Sequence, residues 1–277
     1  MIWLKKAFTW PLKQGALGGT LLFITTMAAA DCNDVTMSSS GGLTGSQWQE
    51  FSASGKPLVK ETGTLLVTRL DALAHCGGLQ WHIHWAQAQG QRRYIGITNT
   101  QQAATSSTDI RDQSMQLDAQ MPLDAHWSAA LGVERRNTHR NIHSTEQASG
   151  YPERFSQWTG LAGLRYQHSA SEDTTWAATA WVGRTLTGQV WLDLPNAEPT
   201  RLSLGAGHVV ETSLTWAEKK TAESRWTWAS TLSWRATRTA SGPASALMKN
   251  GRWVGTALQP QTSTQSLGIN ATMKYAF

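Results

Sequence analysis

Leu267-Gly268-Ile269-Asn270-Ala271-Thr272-Met273-Lys274-Tyr275-Ala276-Phe277, the final eleven residues, decide the reading of this chain. Leu267, Ile269, Ala271, Met273, Tyr275 and Phe277 share one face of an extended segment; Gly268, Asn270, Thr272, Lys274 and Ala276 share the other. Strand side chains alternate with period two, so this segment has one apolar face and one polar face, with aromatics at its very end. That pattern suits a strand with lipid on one side and a polar interior on the other.

The opposite end agrees. Lys5, Lys6 and Lys13 precede an apolar stretch from Ala16 to Met27, followed by Ala28-Ala29-Ala30. A basic region, a short apolar core and small residues at a cut point predict a signal peptide over 1–30, cleaved before Asp31. The terminal Phe277, with Tyr275 and Met273 on its face, resembles the closing strand of Gram-negative outer-membrane β-barrels. The resemblance implies that the barrel-assembly machinery reads this end and that outer-membrane lipid and lipopolysaccharide surround the wall.

Removing the leader takes away three lysines and no acids, so the net charge of +5 falls to +2. The basic balance is then partly a leader effect, and no nucleic-acid partner is expected. The mean hydropathy is −0.36. With no second long apolar run, helical spans are excluded; a barrel escapes this test because only alternate residues face lipid.

Tryptophan is unusually frequent: 15 Trp against 4 Tyr and 5 Phe. Rings with an apolar body and a polar tip collect at the membrane–water boundary. Trp158 and Tyr166 are eight residues apart on one strand face, as are Trp226 and Trp234. Eight tilted residues cover about 20 Å of height, close to the ~25 Å apolar band between two girdles. Trp81, Trp85, Trp127, Trp176, Trp216 and Tyr275 complete the expected girdles, with Trp85 beside a short turn at 88–91.

Reading backward from Phe277 predicts an all-β, antiparallel up-and-down transmembrane barrel. Its ten strands fall at about 64–73, 79–88, 92–99, 112–121, 126–136, 157–168, 175–186, 207–217, 225–237 and 266–277. The strand at 64–73 is taken as ascending, which places residue 76 outside. The barrel domain is 64–277, and 31–63 is read as a Ser/Gly-rich arm; a hairpin over 47–61 joining the wall would raise the count to twelve. Segments 189–194 and 201–204 flank a Pro195–Pro199 turn and read as a hairpin rising above the membrane. In outline such a tall ten-stranded barrel resembles the omptins. The long loops 137–155, 187–206 and 238–265 are the expected partner-binding elements.

Alternation points Asp71, His82, His84, Glu134, Glu211 and Arg235 into the lumen, along with Arg69, Arg92, Asp118, Arg165 and Lys274. Buried charges need partners, so these predict a lumen plugged or narrowed by ion pairs. A small-solute channel and an outer-membrane hydrolase are the alternatives. His82 and His84 lie about 7 Å apart along one face, and with Asp71 or Glu134 could hold a metal or exchange protons. No local motif supplies further ligands, so the expectation is filler: no metal, no cofactor and no catalytic residue.

An omptin-like protease needs paired acids and an Asp–His couple at the extracellular rim, for which Asp109, Asp112, His139, His143, Asp193, Glu198 and His208 are candidates without a recognisable spacing. A lipid A deacylase would place Ser and His on the outer wall, and His208 with Ser213 is the candidate. Cys32 and Cys76 suit one disulfide in an oxidising compartment. The predicted topology puts them on opposite sides of the membrane, which conflicts with that pairing.

Overall fold

The structure, a computed structural model, describes residues 32–97, 102–146, 148–171, 173–218 and 226–276. The predicted signal peptide and Phe277 lie outside the described residues. The elements are β1 (Cys32–Phe51), β2 (Pro57–Cys76), β3 (Leu79–Ile97), β4 (Ala103–Pro122), β5 (Trp127–Ile142), β6 (Pro152–Ser169) and β7 (Thr174–Leu192). They continue with β8 (Thr200–Ser203), β9 (Gly207–Glu218), β10 (Trp226–Thr239), β11 (Ser245–Lys249), β12 (Arg252–Ala257) and β13 (Gln261–Ala276). Among the described residues, ten of these form one closed antiparallel barrel. β1 closes it against β13, from Thr36 opposite Ala276 to Phe51 opposite Gln261. Closure removes every unpaired edge from a wall that has no water to satisfy it.

The count of ten agrees with the sequence reading, but the first strands differ. Residues 31–63 are not an arm: Cys32–Phe51 is β1, and β2 begins at Pro57. The predicted strands 79–88 and 92–99 are a single strand, β3, so the expected turn at 88–91 does not exist. These two errors cancel in the count and invert the direction of β2. The connection between 73 and 79, which the sequence reading placed outside, is the turn Gly77-Gly78, whose φ angles of 59° and 81° form the two-residue hairpin that a Gly pair favours. It lies at the same end as both described termini and the 123–126 turn, the periplasmic end. Cys76 therefore meets Cys32, and the two are joined in a disulfide.

Several predicted loops are strand. β5 continues to Ile142 and β6 starts at Pro152, so the loop at this corner is 143–151. The 187–206 region extends β7 and adds β8, which pairs with it from Gln189–Ser203 to Leu192–Thr200. β11 and β12 form a separate hairpin within 238–265.

The outer face carries the apolar side chains. Leu66, Leu131, Leu164, Val182, Leu214, Leu232 and Ile269 are all exposed on it, Leu131 at 70%. In water such a surface would be costly; against lipid it is the required face. A lower girdle is visible at the periplasmic end. Trp127 packs on Tyr166 at 4.9 Å and Trp226 on Tyr275 at 4.7 Å, while Trp176 stands opposite Trp216. Trp158 and Trp234 face outward higher up, with Arg135 over the Trp158 ring at 5.6 Å. Trp81 stands next to the Gly77-Gly78 turn; Trp85 is a correction, placed within β3 rather than beside a turn.

Candidate functional site

Lumen-facing positions form three polar layers, the uppermost packed beside an apolar cluster. In the upper layer Arg140 from β5 binds carboxylates of three other strands. It donates to Glu61 at 2.7 Å and to Glu50 at 3.1 Å, and it pairs closely with Glu153. Thr108 donates to Glu61 at 2.9 Å, and Arg92 donates to Ser46 at 2.6 Å while facing Glu61. The Arg140 guanidinium lies 4.4 Å from the Trp48 ring, which packs edge-on against Phe155 at 5.3 Å. At the same level Val190, Leu192 and Leu202 are buried with Trp48 and Phe155, Val190 opposite Phe155 and Leu192 opposite Glu153, so the β7–β8 hairpin packs an apolar cluster beside this layer.

The middle layer is an alternating chain across the lumen. Arg136 donates to Asp112 at 2.5 Å and to Glu134 at 2.8 Å; Arg235 pairs closely with Glu134 and donates to Glu211 at 2.7 Å. It links β4 and β5 to β10 and β9 on the facing wall. Glu134, Glu211 and Arg235 thus meet as one network. A cavity of about 310 Å³ lies among these residues and reaches His82 and His84 below.

The lower layer centres on His84. Its Nδ1 faces Asp71 Oδ1 at 2.5 Å and its Nε2 faces Asp118 Oδ2 at 3.2 Å. Ser38 donates to Asp71 at 3.3 Å, and Gln116 and Gln120 donate to Asp118 at 3.0 and 3.1 Å. The His82 ring lies 5.5 Å from that of His84, is 8% exposed, and its Nε2 is buried with no hydrogen-bond partner among the described residues. Leaving such an atom unsatisfied costs about 1–3 kcal/mol. One ligand atom each from His82, His84 and Asp118 lies within 4.8 Å of the others. The structure thus places Asp71, not Glu134, beside the histidine pair. It adds Asp118, whose part the sequence reading missed although its alternation on 112–121 was legible. A second cavity, about 400 Å³, runs from this layer to Thr36, His75 and Gln80 near the periplasmic turn.

At the extracellular rim Asp109 and His143 do form a couple. His143 Nε2 stands 2.7 Å from Asp109 Oδ2, and Nδ1 stands 3.1 Å from Ser107 Oγ. The hydrogen bond from His143 holds the Asp109 carboxyl below its usual range. Ser107 and Asp109 lie on the outer face of the wall, since Thr108 between them points inward to Glu61. Asp112 is lumenal and paired with Arg136. His139 and His208 are exposed, while Ser213 lines the lumen, so His208 and Ser213 occupy opposite faces.

A closed barrel, an apolar outer band and aromatic girdles define an integral outer-membrane β-barrel of a Gram-negative bacterium. Among solved structures the chain is similar to the outer membrane protease OmpT from Escherichia coli, with a TM-score of 0.62 at 10% identity, covering 88% of this chain and 97% of OmpT. It also matches the beta domain of the Bordetella autotransporter BrkA (TM-score 0.41, 12% identity, 87% of this chain and 99% of that one). A third match is Neisserial surface protein A (TM-score 0.39, 7% identity, 89% and 99%). At these identities the OmpT likeness is one of fold alone. No family model and no curated protein sequence matches the chain.

Proposed function

We propose that this protein is a closed outer-membrane barrel that acts through its extracellular hairpins, as a structural or partner-binding element. The observation that carries this reading is Arg140, tied across the lumen to Glu50, Glu61 and Glu153 and flanked by the buried Val190, Leu192 and Leu202. Charges paired in a low-dielectric interior are costly to separate, so ions do not pass this layer readily. Beyond the membrane, the β11–β12 hairpin exposes Trp253 at 67% and Val254 at 50%. Large apolar side chains with neither lipid nor core to cover them are typical of a binding surface. In this reading lipid and lipopolysaccharide surround the wall, and the barrel-assembly machinery inserts it through the Met273, Tyr275 and Phe277 end. Planar-bilayer recording tests the proposal: no steady current is expected, and a steady unit conductance would replace it with the channel reading.

A hydrolase on the outer wall is the second reading, favoured by the Ser107–His143–Asp109 arrangement. The carboxylate would hold the Nε2 proton, leaving the Nδ1 lone pair to accept the Ser107 proton as the oxygen attacks an ester. Hydrolysis of acyl-ester substrates that Ser107→Ala abolishes would establish it. An inactive parent protein would end it.

A further inference from the structure

We propose that the lower lumen is a divalent transition-metal site, with His82, His84 and Asp118 as ligands and Asp71 as the positioning residue behind His84. This reverses the expectation that the pair is filler, and it stands independently of the closed-barrel reading. Three observations carry it. The ligand atoms of His82, His84 and Asp118 already lie within 4.8 Å of one another. Around a zinc ion bound at about 2 Å, neighbouring ligand atoms stand about 3.3 Å apart, so side-chain rotations complete the approach. The buried Nε2 of His82 has no partner among the described residues, and His82 belongs to this cluster.

The third observation is Asp71. Both ring nitrogens of His84 face carboxylates, Nδ1 toward Asp71 and Nε2 toward Asp118. A metal takes the place of the Nε2 proton, which leaves to solvent, while Nδ1–H stays on Asp71. The result is the carboxylate–histidine–metal relay that fixes tautomer and ring orientation. Two imidazoles and one carboxylate suit zinc and its late first-row neighbours, whereas calcium and magnesium take oxygen ligands. Asp71 and Asp118 supply negative charge against Arg165 and Lys274, which line the same lower cavity. That cavity provides water for the remaining coordination positions and extends toward the periplasmic turn, the direction of entry.

The test uses the full barrel folded in detergent micelles, titrated calorimetrically with ZnCl2. About one zinc ion per barrel is expected, with His82→Gln, His84→Gln and Asp118→Asn each weakening binding about tenfold or more. Asp71→Asn, which keeps its shape but loses the charge, should weaken it by about 10–100-fold. His139→Gln and His208→Gln, on the exposed outer wall, should leave it unchanged. No stoichiometric uptake, or uptake that survives His82→Gln with His84→Gln, overturns the site. Should those variants fail to fold, crystals of the unaltered barrel soaked in ZnCl2 decide. Anomalous scattering between His82, His84 and Asp118 supports the site, and scattering confined to outer-wall histidines overturns it.

Discussion

Arg140 on β5 donates to Glu61 on β2 at 2.7 Å, reaching past the two strands between them. Both side chains are almost fully buried, and the same guanidinium also serves Glu50 and Glu153. The upper lumen is therefore held by one cation among three carboxylates, with Arg92 as its neighbour.

Arg140→Gln should destabilise the barrel by about 3–5 kcal/mol, because it leaves buried carboxylates without their counter-charge. Arg135→Gln, which removes an outward-facing cation over Trp158, should cost about 1 kcal/mol or less. Urea unfolding followed by tryptophan fluorescence measures both. Equal effects from the two variants would show that the upper layer is not a stabilising plug.

The Cys32–Cys76 disulfide closes the β1–β2 hairpin over a sequence separation of 44. A constraint of that span is worth about 2–4 kcal/mol through the unfolded chain. Cys32→Ser with Cys76→Ser should lower stability by that amount, and reduction of the unaltered protein should reproduce the loss. A reduced protein that unfolds at the same urea concentration would contradict this.

Fold class and lumenal faces were legible because alternation survives any misplacement of turns, whereas the count of ten came out because the missed β1 offset the splitting of β3. Strand direction at the start was not legible. Residues 88–91 were read as a short turn between strands 79–88 and 92–99, but β3 runs straight through them. The real turn, Gly77-Gly78, carried the stronger signal, and giving it priority would have put both cysteines at one end. Asp118 and Asp71 were both assigned to the lumen, yet their meeting at His84 depends on the register of β2, β3 and β4. His84 stands opposite Asp71 on one side, and Asp118 stands opposite His82 on the other. No spacing within a single strand encodes that.

The periplasmic turn gives a pH prediction. Asp124 accepts from the backbone N–H groups of His126 at 2.7 Å and Trp127 at 2.8 Å, and these hydrogen bonds lower its pKa. A depressed carboxylate contributes order that is present above its usual pKa, near 3.8, and is lost as pH falls through the lowered value. The amide resonances of His126 and Trp127 should hold steady down to the ordinary carboxylate range and shift only below it. Asp124→Asn keeps an acceptor oxygen and should abolish that titration while preserving the turn. A titration centred above the usual carboxylate value would refute the assignment.

The seam that closes the barrel gives the last prediction. At Gly42 on β1 an added Cβ would stand 2.0 Å from the Ile269 carbonyl oxygen and 2.4 Å from Asn270 Oδ1. The first of these is backbone of β13 and cannot move without breaking the register in which Gly42 lies opposite Asn270. The neighbouring Gly41 points to the other face, and a Cβ there meets nothing within 4 Å. Gly41→Ala should therefore fold like the parent, and by relieving chain entropy could only help. Gly42→Ala should impair closure, because a wall left open exposes unpaired backbone groups in lipid. The readout is the fraction of protein that migrates as the compact, heat-modifiable form on unheated gels, after refolding into lipid vesicles. A large loss is expected for Gly42→Ala and none for Gly41→Ala. Equal folding of the two would mean that β1 and β13 do not meet in this register, and with it the strand order of the closed barrel would fall.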